Sequence, residues 1–440
     1  MAQITAQEII GIGVTGMLPA MILLDRDGRL LRPSIQQSDG RCGKEVTELL
    51  AEVSEVDFVA MTGNGINQQL VTAKLRWIEK HEPDVFAQIA TVFGSYDYIN
   101  WRLTGRRVID QNWALEAGFL LVEDKELSDE LIALAHVKRS AIPQVTASHE
   151  ILGGLTAEAA NALGLLKGTT VVGGAADHIA SAFAAGITEP GDVLLKFGGS
   201  TDILIATDIL KPDPRMYMDF HLLPGLYMPN GCMASGGSAL NWFADHVAYG
   251  ERDVAQSKGL SLHGHLDELA EEIAPGADGV QIIPYFLGEK TPLHDSLARG
   301  TITGLSLNHR LAHMWRALLE GFGYAFRHHI EVLNDIGHLT TRYLASDGGA
   351  QSRLWMQIVS DILQRPVQLL KGHPGSCLGA AWMATIGTGL SDDWLGTASF
   401  ISLGERVEPD LENANVYNTG YANFRDTYQQ LAPLNLGRTS

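Results

Sequence analysis

Asp177 stands directly behind Gly173-Gly174-Ala175-Ala176 and at the head of His178–Ala185, a stretch of small residues that predicts a helix. A carboxylate at a strand end facing a cleft can accept the proton of an alcohol as that oxygen attacks a γ-phosphate. The same placement suits a helix N-cap, because Asp accepts the free N–H groups of a first turn. Both roles can coexist in one side chain. Paired glycines recur at 173-174, 198-199, 236-237 and 348-349; each pair follows an apolar stretch, and three of the four lead into a predicted helix. Such turns let backbone N–H groups approach a ligand closely, and a helix N-terminus behind them adds partial positive charge. Four pairs in comparable contexts predict a shared phosphate or nucleotide cleft, against the plainer reading of ordinary tight turns in a chain with 47 glycines.

Other chemistries are excluded by spacing. Gly11-Ile-Gly-Val-Thr-Gly16 matches the dinucleotide fingerprint, but Pro19 and a hairpin follow it instead of the helix that pattern needs. No Walker A segment, no His-Glu-x-x-His and no Gly-x-Ser-x-Gly elbow occurs. The metal ligands of the site are left open. With 32 Lys+Arg against 51 Asp+Glu the chain carries −19, which argues against nucleic acid or an anionic membrane as partner. Cys42, Cys232 and Cys377 are widely spaced and form no CxxC pair, so a reducing cytoplasm is expected. No apolar run reaches membrane-spanning length, and no basic n-region opens the chain, so neither a membrane anchor nor a signal peptide is expected.

The elements that must position these residues alternate between strand and helix. Glu8–Gly16 predicts a strand, and Met21–Leu24 and Leu30–Arg32 predict a hairpin around Asp25-Arg-Asp-Gly-Arg29. Helical spacing marks 44–53, 70–81, 157–163, 239–247 and 311–333; strands are expected at 169–172, 193–197, 203–206 and 281–285. This is an α/β pattern, and 440 residues are more than one core comfortably supports. Gly186–Gly191 is the predicted boundary between two domains.

Read in order, these segments resemble the FGGY carbohydrate kinases, the family of xylulokinase, ribulokinase and glycerol kinase. Val14-Thr-Gly-Met…Leu24-Asp25…Gly28…Leu31-Arg-Pro33…Asp39-Gly-Arg41 resembles the first sugar-site segment. Thr72-Ala-Lys-Leu-Arg-Trp77 and Asp97-Tyr98…Leu103-Thr-Gly105 follow. Gly173-Gly174-x-x-Asp177 resembles the catalytic-base motif and Phe197-Gly-Gly-Ser-Thr201 the second phosphate loop. Gly300-Thr-Ile-Thr-Gly-Leu305, His313 and Glu320-Gly321 are similar to the C-terminal signature. Asp347-Gly-Gly-Ala-Gln-Ser352 and Gly379-Ala-Ala381 resemble the adenosine loop and the closing helix.

The resemblance implies an α/β fold of two actin-like (ribonuclease H-like) domains around a nucleotide cleft: residues 1–187 for the sugar, incomplete at the N-terminus, and 188–440 for ATP. It implies ATP and Mg²⁺, a small ketose or polyol substrate such as a pentulose, and often a homodimer. Carried over residue by residue, it makes Asp177 the base and His178 a sugar neighbour; Gly199 and Ser200 meet phosphate, and Gly237, Asn241, Gly349, Ala350 and Arg353 frame the adenosine. Two departures shape the expectation. The family's opening Asp-x-Gly-Thr, whose Asp organises Mg²⁺, does not occur among the twelve residues before Gly13, which motivates a second reading as a binding protein with impaired turnover. Met17-Leu18-Pro19 stands where relatives carry hydroxyl-binding side chains, which disfavours glycerol.

Overall fold

The computed structural model describes residues 4–435 and divides into two units that the chain enters more than once. The first unit holds Met1–Thr188, Ala206–Pro229 and Pro374–Ile401; the second holds Glu189–Ile205, Asn230–His373 and Ser402–Ser440.

In the first unit, the expected strand over Glu8–Gly16 is broken. A 3₁₀ turn at Ala6–Glu8 precedes Gly11–Ile12, and the chain re-enters the extended state at Thr15–Gly16. Gly11–Ile12 runs parallel to Thr170–Val172, and Thr15–Gly16 runs parallel to Ala175–Ala176. Between the two pairings the register slips by one residue, from Gly11↔Thr170 to Thr15↔Ala175. An extra residue inserted into one strand re-aims everything beyond it. The break has steric causes. A Cβ on Gly13 would lie 2.1 Å from the Ala380 carbonyl oxygen, and one on Gly174, at φ +81°, would lie 2.2 Å from that of Val14. Met17 and Asp177 therefore leave their parallel strands together, at the carboxyl ends where α/β sheets bind ligands.

The expected Met21–Arg32 hairpin closes through Asp25 N–H to the Arg29 carbonyl, with bridges Met21↔Ile35 and Leu24↔Leu30. Its strand Ile22–Leu24 takes a longer antiparallel partner in Thr91–Phe93. Downstream of the fingerprint-like glycines the next α-helix is Gly43–Glu52, so no helix meets that turn. The helix Asp177–Ala184 is buried from Ile179 onward and packs on Ser376–Gly387. The two approach closely enough that a Cβ on Gly379 would lie 2.3 Å from the Ala180 carbonyl oxygen.

The second unit is built on a mixed sheet. Asp192–Phe197 pairs antiparallel with Thr201–Ile205 and parallel with Arg342–Ser346. Thr201–Ile205 pairs in turn with Tyr227–Met233, and Arg342–Ser346 with Val367–Lys371, which carries Ser402–Val407 antiparallel at its edge. The helix Leu311–Ile336 runs 26 residues and ends at Gly337, whose φ of +109° places it in the glycine-favoured region. Its apolar stripe faces Arg353–Leu363, where Trp355 is fully buried against Phe197 and Phe322 and donates its Nε1–H to the Leu319 carbonyl.

Candidate functional site

Around Asp177 the first unit assembles a cluster of charge. The helix begins at Asp177 itself, and Ala176 is the N-cap, so the expected capping position is one residue too late. The Asp177 side chain is 47% exposed. Beside it His178 is 20% exposed, with Nδ1 3.7 Å from Asp177 Oδ1 and Nε2 3.0 Å from Asp219 Oδ2. Asp219 is completely buried. Burial opposes charge on His178, but hydrogen bonding to Asp177 and Asp219 and the negative charge of Asp219 and Glu116 outweigh it and push the imidazole up to about 10. His178 is thus an imidazolium at neutral pH.

Asp219 is held by an uncommon device. It lies in the strand Tyr217–Phe220, whose flanking residues are each gripped by an asparagine side chain. Asn64 donates from Nδ2 to the Met218 carbonyl and accepts at Oδ1 from Met218 N–H, at 2.9 and 3.0 Å. Asn112 does the same to Phe220, at 3.0 and 2.7 Å. Each amide thus imitates the backbone of a neighbouring strand. Asn112 and Glu116 share the short helix Gln111–Glu116, whose N-cap Asp110 accepts from Asn112 N–H and Trp113 N–H. Asp110 is fully buried, and burial pushes it up to about 6 despite hydrogen bonds from Tyr96 and from these backbone groups.

Glu116, His178 and Asp219 bring one ligand-type atom each within 4.8 Å of one another. The set does not suit Mg²⁺, which takes oxygen ligands in a near-ideal octahedron, because the imidazole already carries its proton and repels a cation. Of the other sugar-segment residues, Met17 accepts a hydrogen bond at its carbonyl from Ser95 Oγ (2.7 Å), while Leu18 and Pro19 are buried in the packing.

In the second unit a cavity of about 580 Å³ gathers three of the four glycine pairs. Gly198-Gly199-Ser200 is the tip of the hairpin joining Phe197 to Thr201. Gly237 N–H donates to the Gly198 carbonyl at 2.8 Å and Ser238 N–H to that of Gly199 at 3.0 Å. The helix N-terminus at Gly237 therefore spends those donors on stitching two glycine turns together, where the sequence had suggested donors directed at a ligand. A Cβ on Gly199 or Gly348 would meet nothing within 4 Å, so both leave their space to the cavity. Asn241 and Gly349 also line it; Ser200, Ala350 and Arg353 are not among its lining, and Arg353 pairs instead with Glu405 at 2.9 Å. The fourth pair, Gly173-Gly174, belongs to the first unit and serves the close approach to Val14 and Ala147 described by its geometry.

Sequence reasoning missed the far wall of this cavity. Asp267 accepts from Trp315 Nε1 and Ser352 Oγ, each at 2.7 Å, and burial raises its carboxyl above the usual range. It missed Asp219 as well, although one carboxylate inside Tyr217-Met-Asp-Phe220 was the available signal. A larger recess of about 770 Å³, between Pro275–Gln281 and the helix Ala414–Asn435, contains none of the paired glycines.

Comparisons with known proteins identify the family. Residues 1–184 match the N-terminal domain, and residues 200–388 the C-terminal domain, of the FGGY family of carbohydrate kinases. The chain belongs to that family and is a sugar-phosphorylating enzyme of the actin-like ATPase fold. It is 30% identical to a xylulose kinase of Escherichia coli over 98% of this chain and 87% of that enzyme. A gluconokinase of Bacillus subtilis is 26% identical over 95% of this chain and 83% of its own length. The crystal structure of a xylulose kinase from Rhodospirillum rubrum superimposes with a TM-score of 0.89 at 57% identity, covering 97% of this chain and 85% of that one. The reading as a binding protein with impaired turnover finds no support among these relatives. Among the described residues, no helix is long and apolar enough to cross a membrane.

Proposed function

We propose that this carbohydrate kinase transfers the γ-phosphoryl group of ATP to xylulose, a pentulose, with Asp177 as general base. The observation that carries the choice of sugar is the 57% identity to a xylulose kinase across 97% of the chain. Asp177 is half-exposed at the carboxyl end of a parallel strand pair, where a sugar hydroxyl can reach it. The hydroxyl proton passes to the Asp177 carboxylate as the sugar oxygen bonds to the γ-phosphorus and the bond to the ADP oxygen breaks. Met17, Leu18, Pro19 and His178 form the sugar's surroundings; the apolar trio shapes the pocket by packing and by backbone groups.

ATP takes the glycine-lined cavity of the second unit, whose open Gly199 and Gly348 fit the close approach of a polyphosphate. Gly199 faces phosphate there, with Gly237, Asn241 and Gly349 toward the nucleoside; the roles carried over to Ser200, Ala350 and Arg353 are left without support from the lining of this cavity. A Mg²⁺ ion belongs with the ATP phosphates and their water rather than with the Glu116–His178–Asp219 cluster. We assign sugar binding to residues 1–187 and ATP binding to 188–440, in a cytoplasmic homodimer.

The test is ADP release with ATP and Mg²⁺ in the presence of xylulose, ribulose, gluconate or glycerol. Xylulose is expected to give the highest kcat/KM and glycerol the lowest. Equal rates on all four, or on none, would overturn the substrate assignment.

A further inference from the structure

We propose that the recess of about 770 Å³ between residues 275–281 and the helix Ala414–Asn435 is a binding site for a small organic cation, an amine or guanidinium compound whose N–H groups meet the Glu320 carboxylate and the Tyr324 hydroxyl. The site lies within the second unit and does not rest on the assignments of Asp177 or of xylulose.

Two buried polar groups open on this recess. Glu320 is 2% exposed, and one oxygen, Oε1, takes all of its hydrogen bonds: from Gly276 N–H and Arg316 Nε, each at 2.9 Å, and from the Tyr417 hydroxyl at 3.3 Å. Among the described residues nothing donates to Oε2, and Glu320 lines the recess. Tyr324, one turn further along the same helix, is also 2% exposed and lines it. Its hydroxyl makes no hydrogen bond to any described residue. Neither free atom is sealed from solvent, so both are reached from the recess. Buried polar groups are ordinarily paired, and an exception asks for a partner.

The surroundings keep both groups open. Gly420 sits inside the helix Ala414–Asn435, where glycine weakens a helix. A Cβ there would lie 2.1 Å from the Tyr324 hydroxyl oxygen, so the glycine makes room for that oxygen at the recess. On the other wall Gly276, Ala277, Asp278 and Gly279 hold φ of +85°, +49°, +51° and +87° in succession. This left-handed turn brings Gly276 N–H onto Oε1 and leaves Oε2 bare, while Asp278 meets His313 Nε2 at 3.2 Å. The segment that resembles the family's C-terminal signature thus supplies Thr303 and Glu320 to the recess and His313 to Asp278, and none of it lines the glycine cavity.

Charge selects the class of ligand. The lining holds the carboxylates of Asp278, Glu320 and Asp426 and, among the described residues, no Lys, Arg or His. Nucleotides and sugar phosphates are repelled there, whereas a cation gains at each carboxylate. Burial pushes the Glu320 carboxyl up against the pull of Arg316, so a second positive group at Oε2 favours its charged form. Burial also pushes the Tyr324 phenol up, which keeps it a neutral hydroxyl able to accept an N–H. The recess is far larger than a metal ion needs, and an amine or guanidinium group asks only for acceptors at hydrogen-bond distance.

The experiment is isothermal calorimetry on the full chain at about 0.15 M salt, with agmatine, spermidine, sorbitol and inorganic phosphate as probes. Agmatine or spermidine is expected to bind with one-to-one stoichiometry, and sorbitol and phosphate are expected not to bind. Tyr324→Phe should weaken the cation roughly tenfold, the contribution of one hydrogen bond to a charged group. Its melting temperature should be unchanged, because the hydroxyl holds nothing inside the protein. Asp426→Lys, an exposed change in the lining, should weaken the cation at least as much. Asp253→Lys makes the same change of charge on the helix Arg252–Ser257, outside the recess, and should leave affinity within about twofold. No binding of either cation, sorbitol or phosphate bound in their place, or equal affinities in Asp426→Lys and Asp253→Lys would overturn the proposal. So would full affinity in Tyr324→Phe, which leaves that hydroxyl to water. The two recess variants act separately, so if one fails to fold the other still decides.

Discussion

The charged cluster of the first unit and the glycine-lined cavity of the second solve opposite problems. Around Asp177 the side chains carry the chemistry, and each is fixed by another further back: His178 by Asp219, and Asp219 by Asn64 and Asn112. In the cavity one wall is made of glycine turns, where backbone does the shaping, braced by Trp355 and Phe197 behind Gly349. A proton acceptor needs a defined direction and a defined charge. A polyphosphate needs room and close backbone. The difference also decides how each region tolerates change: the cluster is sensitive to atom-for-atom replacement, and the cavity to added volume.

The contrast breaks first at Asp177. Asp177→Asn should cut sugar-dependent ADP release by roughly 10²–10⁴-fold, the usual worth of a general base, with ATP affinity held within a few-fold by isothermal calorimetry. Next in size is Trp355→Ala, which should destabilise by about 3–5 kcal/mol in denaturant unfolding, because it empties the wall behind Gly349. Asn112→Ala should cost about 1–3 kcal/mol, since it strips the buried Phe220 backbone of both partners, and it should depress kcat beyond that loss. Gly199→Val adds volume where a Cβ meets nothing; steady-state kinetics should show KM for ATP rising roughly tenfold, about 1.4 kcal/mol, with kcat nearly kept.

The remaining effects concern pH, and they have opposite signs in the two units. His178 is raised from 6.5 to about 10, so its stabilisation is complete below pH 6.5 and is lost as pH rises through about 10. His329, in the second unit, is pushed down by burial to about 4; its contribution is present above pH 6.5 and is lost as pH falls through about 4. Melting curves from pH 6.5 to 10 should fall less steeply in His178→Gln than in the wild type. A parallel fall in both would remove the charge from His178.

Much of the second unit was legible because its signals are local. Phe197-Gly-Gly-Ser-Thr201 is a hairpin tip and Gly236-Gly237 a helix start, and each is written in consecutive residues. The helices expected at 157–163 and 239–247 formed at Ala157–Leu163 and Gly237–His246 for the same reason. What was not legible is assembled from a distance. Asp219 lies 41 residues beyond His178, and the asparagines that hold its strand lie 154 residues before Met218 and 108 before Phe220. No periodicity announces such pairings. The Gly173-Gly174 pair carries the same local signal as the cavity glycines, because close backbone approach to Val14 and close approach to a ligand demand the same residue.

The asparagine-gripped strand also sets an order of assembly. Tyr217–Phe220 has no use for Asn64 and Asn112 until the segments that bear them, far upstream, have taken shape, and loops of that length are slow to close. The site around Asp177 is then a late product of folding. Once formed, this buried and doubly gripped strand opens only with the larger unfolding of its surroundings.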